Sequence, residues 1–492
     1  MSEDLPLPEH VRVAVIGSGF AGLGTAVRLK QARQDDFVVL ERARDLGGTW
    51  RDNTYPGCAC DVQSHLYSYS FAPNPDWSRA YSGSREIHAY LQRVATDFGV
   101  RPHLRYGAEL LEAAWDDDAR RWQLTTSRGS LTADVLVCGT GPLSDPLVPD
   151  LPGLDTFAGT AFHSARWDHD LDLRGRKVAV VGTGASAIQF VPVVAEQAAA
   201  LTVFQRTPPW LLPRMDRAIK EEAKARYRAA PRRQRVVRTA IYWFRELNLL
   251  AFTGGGRMSR LAEKMARRHL ARQVPDPALR TRLTPSYRIG CKRILLSDDY
   301  YPALMRPNVE LVTSPVVEVR PHSVIDADGR EHEVDTLVFG TGFHVTDQPI
   351  AARVRGRDGR LLSEVWGPSP EAYLGTTVPG FPNLFLLLGP NTVLGHTSVV
   401  YMIEAQLAYL LDALRLMDAR RVASLEVRAP VVAAFNADLQ RRLQGTVWNT
   451  GGCRSWYLDA AGRNSALWPS YTFRFKSATK RFDPDAYVLR SR

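Results

Sequence analysis

The residues best suited to bind a nucleotide lie near the N-terminus, where three glycines and one acid have a characteristic spacing. Gly17, Gly19 and Gly22 occupy the G-x-G-x-x-G positions of VRVAVIGSGFAGLGTAVRLK (11–30). The first two glycines let the backbone turn tightly towards a pyrophosphate, and the third lets a helix pack on a strand. Glu41 follows Gly22 by 19 residues, where a carboxylate hydrogen-bonds ribose hydroxyls. The spacing predicts a dinucleotide site.

The same pattern recurs in the segment KVAVVGTGASAIQ (177–189). Gly182 and Gly184 take the first two glycine positions, and Ala187 takes the third, a replacement that this fingerprint tolerates. Free N–H groups at the start of the following helix would again favour a phosphate. The sequence therefore predicts a second dinucleotide site.

One position distinguishes the two sites. Arg206 follows Gly182 by 24 residues, the same distance that separates Glu41 from Gly17. A carboxylate repels a 2′-phosphate, whereas a guanidinium binds it through two hydrogen bonds. We therefore expect an unphosphorylated ribose, as in FAD or NAD, at the first site and NADPH at the second. The alternative is that Arg206 is only a solvated strand end.

Strands and helices must hold these turns in place. FVVLER (37–42) and LTVFQRT (201–207) read as the second strand of each unit. ADVLVCGTG (133–141) and VDTLVFGTGF (334–343) both run from apolar residues into G-T-G, and we expect both strands to return to the first sheet. These patterns predict an α/β fold with two Rossmann-like dinucleotide-binding domains, for FAD and NADPH, in which the FAD domain is discontinuous.

The chain has 492 residues, too many for one ordinary core. Five segments are predicted, with a helical insert between the two parts of the NADPH-binding domain. They are 1–145 (FAD domain, first part), 146–213 (NADPH domain, first part), 214–282 (helical insert), 283–332 (NADPH domain, second part) and 333–492 (FAD domain, second part, with the C-terminal region).

An aromatic loop, GGTWRDNTYPGCACD (47–61), follows the first unit and ends on a carboxylate. It resembles the first fingerprint of type I Baeyer–Villiger monooxygenases at Gly48, Trp50, Tyr55, Pro56, Gly57 and Asp61. A second signature of that family is matched in FAGTAFHSARWD (157–168) by Phe157, Gly159, His163, Trp167 and Asp168. Related flavin-containing monooxygenases usually lack the tryptophan. GPNTVLGHTSVVYMIEAQ (389–406) and GRNSALWP (462–469) look closer to the flavin-containing-monooxygenase-like and hydroxyacetophenone-oxidising branches than to the cyclohexanone-oxidising branch.

The resemblance implies an enzyme that uses FAD, NADPH and O₂ to convert a small hydrophobic ketone into an ester or lactone through a C4a-peroxyflavin. PSYRIGCKRILLSDDYY (285–301) is similar to the family segment that carries the catalytic arginine, which is matched by Arg293. Arginine suits a peroxyanion because it remains charged at every working pH. Asp61 would orient that guanidinium, and Lys292 matches a residue that reaches towards the 2′-phosphate.

Further cofactor contacts follow from the two turns and from the resemblance. They are Ser18, Phe20, Ala21, Thr49, Trp50 and Tyr67 for the flavin nucleotide, and Thr183, Gly184, Ala185, Ser186, Gln189, Arg206, Thr207 and Trp456 for the nicotinamide nucleotide. Trp456 has a second interpretation as a core residue. His163 and Trp167 are expected to act on the link between domains and not on substrate. Where many relatives have an arginine before the aspartate, this chain has Cys58, Ala59 and Cys60.

Residues 214–282 contain 19 Lys and Arg against 6 Asp and Glu, a net charge of +13 in a chain of net charge +11. They read as helices that line the substrate cleft, with an anionic membrane surface as the second interpretation and nucleic acid as a remote third. The apolar run Ile241, Tyr242, Trp243, Phe244 and Leu247 to Phe252 fits either a substrate pocket or core packing. No nucleic-acid motif occurs, and the oligomeric state is left open.

Other classes of function remain as rivals. The nearest is a heteroatom oxygenase that acts on a thioether or amine, against which Trp167 argues. A flavin reductase or oxidase without oxygen transfer would not need Arg293 with Asp61. The five cysteines show no framework spacing, the lone C-x-C at Cys58 and Cys60 lacks further metal ligands, and MSEDLPLPEH (1–10) has no apolar segment, so we expect a cytoplasmic protein without a metal.

Overall fold

The computed structural model describes residues 5–253 and 256–491, so that residues 1–4 of the N-terminal segment discussed above lie outside the described residues. The strands are β1 (His10–Ile16), β2 (Phe37–Leu40), β3 (Leu104–Arg105), β4 (Leu110–Asp116), β5 (Arg121–Thr126), β6 (Gly129–Cys138), β7 (Thr160–His163), β8 (Lys177–Val181), β9 (Ala200–Phe204), β10 (Leu211–Leu212), β11 (Leu295–Leu296), β12 (Val309–Val312), β13 (Val316–Arg320), β14 (Ser323–Asp326), β15 (Glu331–Glu333), β16 (Thr336–Phe339), β17 (Val354–Arg355), β18 (Leu384–Leu386), β19 (Val422–Val427) and β20 (Tyr487–Ser491). The α-helices are α1 (Phe20–Gln31), α2 (Thr49–Asp52), α3 (Ser84–Asp97), α4 (Ala187–Gln197), α5 (Glu221–Ala229), α6 (Pro231–Leu247), α7 (Leu250–Thr253), α8 (Arg257–Gln273), α9 (Pro277–Arg282), α10 (Tyr300–Leu304), α11 (Leu362–Trp366), α12 (Val399–Arg420), α13 (Ala429–Gln444), α14 (Val447–Thr450) and α15 (Thr472–Ala478).

The first sheet carries the first glycine turn. Its strand order is β17-β4-β5-β6-β1-β2-β3, and β18 also pairs with β6. The central strands β6, β1 and β2 are parallel, which suits their nearly continuous apolar sequences and double-sided burial. The chain leaves the carboxyl end of β1 through Gly17 and enters α1, so the turn lies at the edge of the sheet where ligands of such folds bind.

The second sheet is parallel throughout, with the order β12-β9-β8-β16-β7. The prediction that residues 334–343 return to the first sheet is therefore wrong. β16 pairs with β7 and β8. The backbone N–H of Asp335 donates to the backbone oxygen of Lys177, and the backbone N–H of Lys177 donates to the carboxylate of Asp335. β6 and β16 have the same local pattern, and only long-range pairing distinguishes them. The second sheet therefore includes residues up to Phe339.

The predicted helical insert contains α5 to α9, and the short parallel pair of β10 with β11 lies where it leaves and rejoins the second domain. The apolar run between Ile241 and Phe252 is only partly in the core. Tyr242, Leu249 and Phe252 are buried, whereas Trp243, Phe244, Leu247 and Leu250 face outwards and do not line the cavity described below. No helix of the described residues is long and apolar enough to cross a membrane.

A disulfide joins Cys291 to Cys453, with their Cα atoms 6.1 Å apart, and the cysteine spacing gave no sign of it. The bridge connects the segment that carries Lys292 and Arg293 to the loop that carries Trp456. Cys58, Cys60 and Cys138 are buried free thiols. Burial raises the pKa of Cys58 to about 11 and that of Cys138 to about 12, so both remain protonated at neutral pH.

Candidate active site

A cavity of about 920 Å³ connects the two glycine turns. Its size is in the upper range for ligand sites of proteins. All the predicted catalytic and cofactor-binding residues except Gly22 line this cavity. Those lining the cavity are Gly17, Ser18, Gly19, Phe20, Ala21, Glu41, Gly48, Thr49, Trp50, Asp61, Tyr67, Gly182, Thr183, Gly184, Ala185, Ser186, Gln189, Arg206, Thr207, Lys292, Arg293 and Trp456.

The first turn requires glycine at two positions for different reasons. Gly17 has φ of +90°, and a Cβ there would lie 2.9 Å from the carbonyl oxygen of Gly139. A Cβ on Gly22 would lie 1.7 Å from the carbonyl oxygen of Gly17, so this residue lets α1 pack on the turn and does not face the cavity. The distinction matches the separate tasks of the glycines in a dinucleotide fingerprint.

Replacing Gly22 by alanine should be destabilising although alanine is the better helix former. Alanine in a helix interior normally gains up to about 1 kcal/mol over glycine, but here the Cβ would collide with backbone. Such overpacking costs about 1–3 kcal/mol or more, and we expect a lower Tm and weaker retention of the predicted flavin nucleotide on gel filtration. Gly445→Ala, at the C-cap of α13, is the control for adding a Cβ without a collision, because nothing would lie within 4 Å of it; equal behaviour of the two variants would contradict this account.

Glu41 is buried at the end of β2, and its carboxylate organises the turn. Oε2 accepts hydrogen bonds from the Ser18 backbone N–H at 3.0 Å and from the Ser18 hydroxyl at 2.6 Å. Oε1 accepts from the Ala43 N–H at 2.9 Å and pairs with Arg51 at 2.9 Å. Arg51 also lines the cavity and was missed by sequence reasoning, although it lies within the aromatic loop.

The aromatic loop bridges the two domains. Gln189 of α4 donates to the carbonyl oxygen of Ala59 at 3.0 Å, and its Oε1 accepts from the Ala59 N–H at 3.2 Å and the Tyr55 hydroxyl at 3.1 Å. A Cβ on Gly57 would lie 2.5 Å from the carbonyl oxygen of Gln189, which explains the glycine. Trp50 donates to the Tyr67 hydroxyl at 3.2 Å at the cavity wall. The loop therefore connects the first turn to the second domain.

Asp61 and Arg293 form a bidentate ion pair across 232 residues of sequence. Nε of Arg293 donates to Oδ2 and Nη2 donates to Oδ1, both at 2.7 Å. The side chains are only 27% and 25% exposed, and both line the cavity. Burial alone would raise the pKa of Asp61, but the charge and hydrogen bonds of Arg293 outweigh it and hold that pKa below its usual value. The charge of Asp61 raises the pKa of Arg293 still further. The pair is ionised at neutral pH.

Two other contacts fix this pair. Arg245 of α6 donates to the backbone oxygen of Asp61 at 2.9 Å and to Oε1 of Gln63 at 2.7 Å, so the insert supports the loop that carries the carboxylate. Nη1 of Arg293 lies 3.5 Å from the backbone oxygen of Leu394, which it reaches as a weak donor. Arg245 could not be singled out from sequence because it is one of many arginines in the insert.

Two cations line the cavity beside the second turn. Arg206 is exposed at the carboxyl end of β9, and Lys292 lies with Nζ 5.3 Å from the centre of the Tyr287 ring. Burial, followed by the positive charge of Arg206, lowers the pKa of Lys292. Thr207 is tied to the turn because its backbone oxygen accepts from the Thr183 hydroxyl at 3.4 Å. Two like charges in one wall are stabilised by an anion such as a phosphate.

The remaining predicted residues divide between the cavity and the domain interior. Trp456 is 39% exposed and lines the cavity, so the interpretation as a core residue is wrong. His163 and Trp167 do not line it; His163 is buried and its Nδ1 accepts from the Ala165 N–H at 3.1 Å. Burial lowers the pKa of His163 to about 4, and Trp167 packs on Phe190 of α4 with ring centres 5.3 Å apart.

Proteins similar to this chain have the cofactors and the fold that the two turns indicate. The family model described as flavin-binding monooxygenase-like matches residues 10–351. This chain belongs to that family. A "Baeyer-Villiger monooxygenase" of Streptomyces coelicolor is 56% identical over 493 residues, covering 100% of this chain and 95% of the relative. The predicted resemblance to flavin-dependent Baeyer–Villiger monooxygenases is therefore confirmed.

Solved structures agree over the whole fold. Cyclohexanone monooxygenase from Rhodococcus sp. Phi1 bound to NADP⁺ superimposes with a TM-score of 0.87 at 28% identity, covering 99% of this chain and 100% of that one. A structure named OTEMO in complex with FAD and NADP gives a TM-score of 0.86 at 25% identity, covering 97% and 99% of the two chains. The predicted α/β fold with two dinucleotide-binding domains is confirmed.

The disulfide should stabilise the loop that presents Trp456. Cys453→Ala is expected to lower the free energy of unfolding by about 2–4 kcal/mol and to raise the KM for NADPH, because the loop loses its attachment beside Lys292. Cys138→Ala, a buried cysteine outside the bridge, controls for lost side-chain volume. Thiol titration in denaturant should find the three free cysteines in the wild type; five titrating thiols without added reductant would contradict the bridge.

Proposed function

We propose that this protein is an FAD- and NADPH-dependent Baeyer–Villiger monooxygenase. It inserts one oxygen atom of O₂ beside the carbonyl of a small hydrophobic ketone and releases an ester or lactone. The observation that carries the proposal is the ion pair of Asp61 with Arg293, which fixes a cation in the cavity between two dinucleotide turns. The activity named for the Streptomyces relative supports it.

The walls of the cavity fit two dinucleotides. A Cβ on Gly17 or on Gly182 would lie within 3.0 Å of the carbonyl oxygen of Gly139 or Gly340, so each position requires glycine. Both turns line the cavity, where a phosphate can approach their backbone. Among the described residues, the buried Thr397 hydroxyl has no hydrogen-bond partner, and Thr397 lines the cavity. A polar atom of this kind is suited to a ligand that carries many donors and acceptors.

We assign FAD to the first turn and NADPH to the second. Glu41 at the first site would repel a 2′-phosphate, whereas Arg206 and Lys292 at the second would bind one. The flavin nucleotide is proposed to contact Gly17, Ser18, Gly19, Phe20, Ala21, Glu41, Gly48, Thr49, Trp50 and Tyr67, with Gly22 acting through helix packing. The nicotinamide nucleotide is proposed to contact Gly182, Thr183, Gly184, Ala185, Ser186, Gln189, Arg206, Thr207, Lys292 and Trp456.

The residues around the flavin set the conditions of the reaction. Bound FAD, reduced by NADPH, supplies the electrons with which one atom of O₂ is transferred. Arg293 stabilises negative charge that develops on oxygen, and it does so without reorganisation because Asp61 holds it in place. Trp50 and Tyr67 exclude water from this wall, which strengthens the electrostatic interaction. A mere electron-transfer flavoprotein would not need such a cation.

Two finer assignments complete the proposal. The NADPH-binding domain is taken to extend at least to Phe339, because β16 pairs with its sheet. We place the enzyme in the cytoplasm, where NADPH is supplied. The disulfide between Cys291 and Cys453 is uncommon for a reducing compartment, so cell fractionation tests this location: recovery of the enzyme outside the cytoplasmic compartment would contradict it.

The decisive experiment supplies purified holoenzyme with NADPH under ¹⁸O₂ and a panel of keto-thioethers, with products identified by mass spectrometry. Labelled ester is the expected result. Labelled sulfoxide alone would assign the protein to the heteroatom-oxygenating branch that acts on thioethers and amines. Hydrogen peroxide from every substrate, without labelled product, would indicate either an oxidase or a panel that lacks the enzyme's substrate.

A further inference from the structure

Helix α6 has its apolar face turned outwards. Val236, Trp243, Phe244 and Leu247 are 68%, 51%, 61% and 58% exposed. With Ala240, also exposed, they follow helical spacing and form one stripe. A surface helix of a globular protein normally turns such a stripe towards the core. We call this stripe the outer face of α6.

The opposite face of α6 is polar and is held by hydrogen bonds. Gln234 donates to the backbone oxygen of Asn74 at 2.5 Å, and Arg238 donates to that of His65 at 2.8 Å. Glu246 accepts from the N–H of Thr472 at 2.9 Å and from its hydroxyl at 2.7 Å.

Arg245 adds its bonds to Asp61 and Gln63 on the same side of α6. Rolling the helix to bury its apolar stripe would leave these buried polar groups without partners. The orientation is therefore fixed by the polar face.

The outer face continues onto α15. The ring of Phe473, itself 38% exposed, lies 5.9 Å from that of Trp243, and Tyr471 stacks on Phe473 at 5.1 Å. Monomeric proteins rarely expose contiguous apolar surface of this kind unless it binds something. An aromatic residue on each of two neighbouring elements makes a patch that is wider than one helix stripe.

The elements that form this patch also carry exposed cations. The exposed basic residues on the same two elements and just after α15 are Arg232, Arg233, Arg235, Arg474, Lys476, Lys480 and Arg481, and the whole insert has a net charge of +13. Aromatic and aliphatic side chains beside Lys and Arg are the composition of helices that lie in the interface of an anionic bilayer. A second copy of this chain on the patch would bring two basic surfaces together, which is unfavourable.

We propose that the outer face of α6, together with Phe473, docks this protein on an anionic lipid surface. The helix lies along the surface: Trp243, Phe244 and Leu247 enter the boundary between headgroups and acyl chains, and the exposed arginines contact lipid phosphates. No described helix is long and apolar enough to cross the bilayer, so the attachment is peripheral. The interaction is separate from the cavity, which none of these residues lines.

Flotation of the holoenzyme with phosphatidylcholine vesicles, with and without phosphatidylglycerol, tests the proposal. Binding should be at least about tenfold stronger with the anionic lipid and should weaken as salt is raised. The triple variant Trp243→Ser, Phe244→Ser, Leu247→Ser should lose about tenfold or more of that binding. Its matched control replaces three exposed apolar residues elsewhere, Leu111, Val317 and Val488, by serine.

Charge is tested in the same way. Arg232, Arg233 and Arg235 replaced by glutamine should abolish the preference for anionic vesicles, whereas the exposed Arg85, Arg306 and Arg415 replaced by glutamine should not. Brominated acyl chains should quench wild-type tryptophan fluorescence more than that of Trp243→Phe. All variants should retain flavin absorbance and NADPH oxidation, which shows that they fold. Three results would overturn the proposal. The first is unchanged vesicle binding by the variant with serine at 243, 244 and 247, and the second is no vesicle binding by the wild type. The third is a wild-type dimer that dissociates when these three residues are replaced.

Discussion

Replacing Arg293 by alanine should abolish oxygen transfer and spare flavin reduction. Loss of one preorganised group that stabilises developing negative charge lowers the rate by a factor of about 10²–10³. Among the described residues, Asp61 holds no other cation in the same bidentate geometry that could replace Arg293. Reduction of the flavin by NADPH needs no such charge. Stopped-flow reduction under argon should therefore change only slightly, while labelled ester falls by that factor and hydrogen peroxide rises.

Two further variants separate charge from position. Arg293→Lys retains a cation but loses the planar fork that Asp61 binds, so an intermediate ester yield is expected. Asp61→Asn retains Arg293 but weakens its orientation, and it should lower the ester yield more than the rate of flavin reduction. Arg357, which pairs with Asp117 and Glu426 away from the cavity, is the control for removing an ion-paired arginine. An ester yield in Arg293→Ala equal to that of Arg357→Ala would refute the assignment.

Local patterns predicted the parts of the site that depend on backbone chemistry. A turn that must approach a phosphate needs glycine, and a ribose contact needs an acid or a base at a set distance, so Gly17, Glu41 and Arg206 could be located from spacing alone. The pairing of Asp61 with Arg293 came only from the family resemblance. No local rule relates two residues 232 positions apart.

Long-range packing explains what sequence reasoning missed. β6 and β16 share the G-T-G ending, and the contact of Asp335 with Lys177 assigns β16 to the second sheet. The apolar run in α6 suggested burial, but Glu246 and Arg245 need polar partners inside and turn Trp243 outwards. An apolar sequence indicates which residues can be buried. The polar residues of the same helix decide which face is turned towards the interior.

The disulfide is a similar case. Cys291 and Cys453 belong to different segments, 162 residues apart, and each stands next to residues with another proposed task. Their spacing matches no framework, and only the fold brings the loop with Trp456 against the segment with Lys292. Gly451 shows how close that contact is, since a Cβ there would lie 2.5 Å from Cβ of Cys291.

Replacing Arg206 by alanine should lower kcat/KM for NADPH by about 10- to 100-fold, the effect of losing one hydrogen-bonded charge, and leave kcat/KM for NADH nearly unchanged. Arg206→Glu should reduce the NADPH value further because a carboxylate repels the 2′-phosphate. Anaerobic flavin reduction measures both coenzymes without depending on oxygen transfer. Arg306, an exposed arginine of the same domain that does not line the cavity, gives the control variant Arg306→Ala.

Variants of Lys292 test whether Lys292 and Arg206 bind the same 2′-phosphate. Arg206 and Lys292 line the same cavity beside the second turn, and the charge of Arg206 contributes, after burial, to the lowered pKa of Lys292, so we expect both to contact one dianion. If they do, the losses of Arg206→Ala and Lys292→Ala should be non-additive for NADPH, since each variant alters the site of the other, and additive or absent for NADH. A double variant whose NADPH preference equals that of the wild type would mean that the 2′-phosphate is bound elsewhere, and the assignment of the second turn to NADPH would lose its main chemical support.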